Sequence, residues 1–163
     1  MPPKPKPHAR QAGSALAATA LLTSRWVERL LASHDPPVTV AQYLALRAIA
    51  AEPLSAAELA RRTGVSGPAV SQLVSTLESA GLVSRGAPLA DPRTRELSLK
   101  PAGKQVLQSA DELLGERLGE LLVDLPRPEA DALARSLERV DAALSGTAPP
   151  RRPKPPGPGP RGG

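Results

Sequence analysis

"SGPAVSQLVSTLESAGLVSR", residues 66–85, begins as a helix and ends as a strand. Ser66 is a favoured N-cap, and Pro68 falls in the first turn, where a missing N–H costs nothing. Val70, Leu73, Val74 and Leu77 recur at helical spacing and predict the buried stripe. Gly81 supplies the left-handed stop. The opposite face holds Ser71, Gln72, Ser75 and Thr76. A solvated helix face usually carries Glu and Lys; this one is small, uncharged and able to hydrogen-bond.

Upstream, "LSAAELARRTG" (54–64) predicts a second short helix, with Ser55 and Glu58 as a capping box, Ala56, Leu59 and Ala60 buried, and Gly64 as its end. "VTVAQYLALRAIAAEP" (38–53) predicts a helix over about 40–51. Thr39 and Gln42 form its capping box, Val38 and Tyr43 its hydrophobic staple, and Pro53 its stop. Downstream, "LVSR" (82–85) and "RELSL" (95–99) alternate apolar and polar residues around the turn formers of "GAPLADP". They predict a two-stranded hairpin with a projecting tip. "PAGKQVLQSADELLGERLGELLVDL" (101–125) reads as a long helix with Val106, Leu107, Ala110, Leu113, Leu114, Leu118, Leu121 and Leu122 in one stripe. "PEADALARSLERVDAAL" (128–144) reads as a last helix with Leu133, Leu137, Val140 and Leu144. Residues 11–33 predict one further amphipathic helix. The apolar run 12–22 after a basic start suggests a secretory signal, but the pattern continues through Trp26, Val27, Leu30 and Leu31 with charges between them, which favours the helix.

Composition agrees. Of 163 residues, 40% are hydrophobic but only 1% aromatic, so the core must be Leu, Val and Ala, which are mostly good helix material. The absence of Cys excludes disulfides and thiolate metal sites. His8 and His34 stand apart from any carboxylate cluster, so no metal site and no cofactor is expected. No nucleophile elbow, phosphate loop or dinucleotide fingerprint is present, and an enzyme is not expected. No run of 18 uncharged apolar residues predicts a membrane span, and a cytoplasmic protein is expected. The net charge of +5 is unevenly placed. Residues 1–10 and 145–163 contain three and four basic residues with no acid, and hold 11 of the 20 prolines. Both read as extended, disordered tails. Residues 53–104 carry 7 basic and 4 acidic residues, whereas 105–144 carry 4 and 9. The middle of the chain therefore faces an anion more readily than the end does.

Helix, tight turn, helix and hairpin is the order of a winged helix-turn-helix, in which the second helix enters the DNA major groove. Ser66, Pro68, Ser71, Gln72, Ser75 and Thr76 then form the reading surface, with donors and acceptors for base edges. Arg93 and Arg95 on the hairpin suit a minor groove or flanking phosphate, with Asp91 to hold the tip. Arg61, Arg62 and Arg85 complete a basic surface that favours double-stranded DNA over the alternative, a winged-helix protein-interaction module.

The frame "LA…GVS…VSxLVxxLExxGLVxR" and the wing "DxRxR…LxLxPAG" within 38–104 resemble the multiple-antibiotic-resistance regulator (MarR) family, and the flanking helices extend that resemblance over about 11–144. The resemblance implies a mainly α fold with a β-hairpin wing: a winged helix-turn-helix at 38–100 flanked by dimerisation helices at 11–33 and 101–144. It implies a homodimer on a pseudo-palindromic operator, commonly a repressor released by a small, often phenolic effector. By the same resemblance Trp26 and Tyr43, the only aromatic residues, lie near the effector cleft; as residues alone they read better as core and staple. Two positions depart from the family pattern. Lys100 replaces a frequent Thr cap, and Gln72 replaces a frequent Arg, which shifts preference from guanine towards adenine.

Overall fold

A computed structural model describes residues 4–88 and 95–145. It contains α1 (Pro7–Ala32), α2 (Val40–Ala51), α3 (Ala56–Thr63), α4 (Gly67–Ser79), β1 (Val83–Pro88), β2 (Arg95–Leu99), α5 (Pro101–Gly119), a 3-10 turn (Glu120–Leu122) and α6 (Arg127–Ser145). The fold is therefore mainly helical with one antiparallel hairpin, as the sequence predicts.

The caps explain the boundaries. Thr39 Oγ1 accepts from the Gln42 amide at 3.1 Å and Gln42 Oε1 accepts from the Thr39 amide at 2.9 Å, the reciprocal box expected for α2. Ser55 caps α3 from one side only: its Oγ accepts from the Glu58 amide at 3.1 Å. The expected return bond is replaced, because the Glu58 carboxylate turns to Arg61 and Arg62. Gly64 closes α3 at φ 66°, a left-handed conformation that glycine adopts without steric cost. Ser66 occupies the N-cap of α4, yet its hydroxyl makes no capping bond.

Leu31, Leu46, Leu54, Leu59, Val70, Val74, Leu77, Val83 and Leu97 are fully buried, and Tyr43 is the one aromatic residue of this core. In the hairpin Val83 pairs with Leu99, Ser84 with Ser98 and Arg85 with Leu97, and the register shifts between Arg85 and Pro88. The Leu97 amide also donates to the Leu54 carbonyl at 2.9 Å, stitching the wing to the α2–α3 connection. At the start of α5 the Lys100 amide donates to the Leu82 carbonyl at 2.9 Å. Lys100 is the N-cap and, as its side chain predicts, gives no capping bond.

Two boundaries differ from expectation. The first helix starts at Pro7 rather than 11, since proline at the first helical position pre-sets φ and has no amide to leave unpaired. The rest of the expected tails, 1–3 and 146–163, lies outside the described residues. The expected helix 101–125 ends at Gly119 and tightens into the 3-10 turn. Beyond that point Leu121, Leu122 and Val123 are exposed.

Candidate nucleic-acid interface

Helix α4 is divided lengthwise. Val70, Val74 and Leu77 are buried and Leu73 is half-buried, which orients the helix against α2 and α3. Ser66, Pro68, Ser71, Gln72, Ser75 and Thr76 are all exposed on the other side. Thr76 Oγ1 donates to the Gln72 carbonyl at 3.0 Å, so its hydrogen is used within the helix while its lone pairs remain outward. The side chains of Ser71, Gln72 and Ser75 have no hydrogen-bond partner among the described residues, and the first turn holds no acid. Sequence reasoning missed Val65. It is 36% exposed in the turn after Gly64 and gives this polar face an apolar edge. Its one signal is position, because the Gly64 stop takes it out of the period of either helix.

The arginines divide into two kinds. Arg61 and Arg95 reach outward: Arg61 is 72% exposed, with one nitrogen on Glu58, and Arg95 is exposed with a 3.4 Å bond to the Gly86 carbonyl. Arg62 is more enclosed, its side chain 27% exposed. It bonds Glu52 at 2.6 Å and Glu58 at 3.1 Å and so ties α3 to the end of α2, leaving its charge balanced. Arg85 sits on β1 with Nε 3.0 Å from Glu78 Oε2, which fixes the wing's first strand to α4. Arg61, followed by Arg62, holds the Glu58 carboxyl below the usual carboxylate range. Asp91 and Arg93 lie outside the described residues.

Behind this face, two polar links join the winged lobe to α5. The Tyr43 hydroxyl donates to Asp111 Oδ1 at 2.5 Å, and Arg47 Nη1 donates to the same hydroxyl at 3.3 Å. Burial, then the hydrogen bond to Asp111, pushes the Tyr43 phenol above its ordinary value. His34 Nδ1 lies 2.7 Å from the Pro36 carbonyl, and Nε2 lies 2.8 Å from Ser109 Oγ. A carbonyl only accepts, so Nδ1 carries a hydrogen; Nε2 faces a Ser109 hydroxyl whose one hydrogen also lies within reach of the Gln105 carbonyl at 3.0 Å. Sequence reasoning left His34 and Ser109 unassigned, because a pair 75 positions apart leaves no periodic trace. Tyr43 is in the core, and Trp26 is 43% exposed on α1 beneath the Arg29 guanidinium. Among the described residues no group of three His, Asp or Glu side chains could hold a metal ion, and no helix is long and apolar enough to cross a membrane.

The three terminal helices leave large apolar side chains uncovered. They are Leu16, Leu21, Leu22 and Trp26 on α1, Leu121 to Val123 after α5, and Leu133, Leu137 and Leu144 on α6.

Comparison with known proteins places this arrangement. The sequence model of the MarR family matches residues 37–93, from the start of α2 into the wing. A curated relative, the HTH-type transcriptional repressor Rv2887 of Mycobacterium tuberculosis, is 29% identical over 104 residues, covering 63% of this chain and 75% of the relative. Among solved structures, that protein in complex with p-aminosalicylic acid superposes with a TM-score of 0.64 at 26% identity, over 78% of this chain and 96% of that one. An Escherichia coli MarR variant complexed with operator DNA superposes with a TM-score of 0.58 at 26% identity, over 77% and 93%.

Proposed function

Because the chain is a DNA-binding transcriptional regulator of the MarR family, we propose that it acts as a homodimeric repressor. Two copies bind successive half-sites of a pseudo-palindromic operator, about 10 bp apart, and a small aromatic effector releases them. The observation that carries the reading is the exposed side of α4, where the Ser71, Gln72 and Ser75 side chains have no hydrogen-bond partner among the described residues while the other side is buried. In the major groove, Gln72 pairs with adenine through its amide, and Ser71, Ser75 and Thr76 accept or donate to neighbouring edges. Val65 and Pro68 offer apolar surface to a thymine methyl. Ser66, its hydroxyl free of capping duty, reaches the flanking phosphate together with Arg61 and Arg85. Arg95, with Arg93, extends the contact from the wing. Arg62 acts indirectly by holding α3 in place.

The uncovered leucines of α1 and α6 support the dimer, since such rows of exposed large apolar side chains mark surfaces that a partner covers. The salicylate-type complex of the relative supports an aromatic effector. The Tyr43–Asp111 link between lobe and α5, with Trp26 across the dimer helices, is where such a ligand gains leverage over the spacing of the two reading helices.

The test is a titration of the purified protein onto a labelled fragment of its own upstream DNA and onto scrambled DNA, at two salt concentrations, read by fluorescence anisotropy. Preference for the upstream fragment at the higher salt, reversed by a salicylate-type acid, is the expected result. Equal, salt-sensitive binding to both fragments would reject sequence-specific repression and leave only phosphate attraction.

A further inference from the structure

One hollow lies on the flank of the lobe rather than on the reading face. It is a cleft of about 620 Å³ between the end of α2, strand β2 and the first half of α5. Its floor is apolar, with Ile49, Leu97 and Leu107, and its rim is acidic, with Glu52, Glu96, Asp111 and Glu112 against one cation, Lys104. Glu52 shares Arg62, Asp111 accepts from Tyr43 and Glu112 accepts from Gln108. Glu96 has no ion pair or hydrogen-bonded side-chain partner among the described residues. A cleft of this size is within the range that binds ligands, but this rim repels the aromatic acids considered above.

The chain itself contains a complementary segment. Residues 146–163 hold Arg151, Arg152, Lys154 and Arg161, no acid, and seven prolines. They follow α6, whose end lies beside the cleft: Leu144 lines a smaller hollow with Ala51, and Ala51 is also part of the cleft wall next to Glu52. Proline-rich chain spans about 3 Å per residue, so this segment needs only part of its length to run from Ala51 to Glu112. Prolines also lose little backbone freedom on docking, because their φ is already restricted.

We propose that the acidic cleft between α2, β2 and α5 is the docking site of the chain's own arginine- and proline-rich C-terminal segment. Prolines lie on Ile49, Leu97 and Leu107, and Arg151, Arg152 and Lys154 meet Glu52, Glu96 and Glu112. A docked segment is withheld from DNA phosphate, so the cleft and the duplex compete for the same cations, and the chain's sequence-independent affinity is reduced until DNA displaces the segment. This inference does not depend on the operator or effector reading.

The chain has no cysteine, so Gly157→Cys gives a single site for a nitroxide label. Amide resonances of the full-length, isotopically labelled protein are recorded with the label oxidised and reduced. Selective broadening of Ser98, Gln108 and Glu112 is expected. It should vanish at high salt, in Arg151→Ala/Arg152→Ala/Lys154→Ala, and in Glu96→Gln/Glu112→Gln, where Glu96 is half-buried and Glu112 exposed, and the spectra otherwise report an intact fold. Broadening spread evenly over the surface, or centred on Glu116 to Asp124, overturns the proposal. So does broadening that survives both neutralisations. Broadening seen only when label and isotope are on different protomers overturns docking within one chain.

Discussion

Gln72 is the longest uncharged polar side chain on the exposed side of α4, and neither its amide nitrogen nor its oxygen is engaged among the described residues. A bidentate amide–adenine pair discriminates by about 1–3 kcal/mol, so Gln72→Ala should weaken operator binding by roughly tenfold or more while leaving scrambled DNA unchanged. Anisotropy titrations decide this; an equal loss on both sequences removes Gln72 from the reading set. Tyr43 acts at the same scale but in the core. Its phenol is held above its ordinary value by burial and by the Asp111 carboxylate. Stability from this group is present below the unfolded value, about pH 10, and is lost as pH rises through the higher folded value. As Tyr43 is the only tyrosine, ultraviolet absorbance follows it alone. Its midpoint should lie above that of a free phenol, and Tyr43→Phe should cost about 1 kcal/mol in urea unfolding at neutral pH. A midpoint at the free value would mean that the Asp111 bond is not maintained in solution.

At the scale of elements, the decisive contact is where α5 leaves the wing. A Cβ built on Gly103 would stand 2.1 Å from the Leu82 carbonyl oxygen, which is backbone and cannot swing away. The start of α5 therefore sits against the turn after α4 only because residue 103 has no side chain. Gly103→Ala must push α5 off that turn, and a loss of about 1–3 kcal/mol or more is expected from overpacking, measured by denaturant titration. An unchanged midpoint would show that the junction relaxes freely. The glycine of the "PAG" motif was legible as a letter, and its reason was not, because Leu82 approaches it only once the hairpin has folded back. Other elements were legible almost residue by residue. The Thr39–Gln42 box, the Gly64 and Gly81 stops and the two strands are local devices, and neighbours within four positions decide them. The one-sided cap at Ser55 was not, since the Glu58 carboxylate had a choice between a backbone amide and two arginines. Charge decided for the arginines.

For the whole molecule, the uncovered faces of α1 and α6 set the expectation. Leu137 is 48% exposed in one chain, on a helix that rests lightly on its own lobe. Within the proposed dimer Leu137→Glu buries a charge without a partner, so sedimentation should show a monomer and operator affinity should fall with it. Trp26, the only tryptophan, reports the same event, its emission moving to longer wavelength as the partner is lost. A Leu137→Glu protein that stays dimeric would place the interface elsewhere.

The sequence by itself determined the elements and their order, because caps, glycine stops and the 3.6-residue apolar period act over one or two turns of chain. It also determined which side of α4 faces outward, since burying Val70, Val74 and Leu77 leaves Ser71, Gln72 and Ser75 no other direction. Only the tertiary structure decided what each charge does. Arg61 and Arg62 are adjacent and alike in sequence, yet one reaches outward and the other is held between Glu52 and Glu58. The same holds for Tyr43 with Asp111 and His34 with Ser109, pairs 68 and 75 positions apart. Pairing at such range depends on where packed helices bring side chains together, and periodicity along the chain carries no record of it.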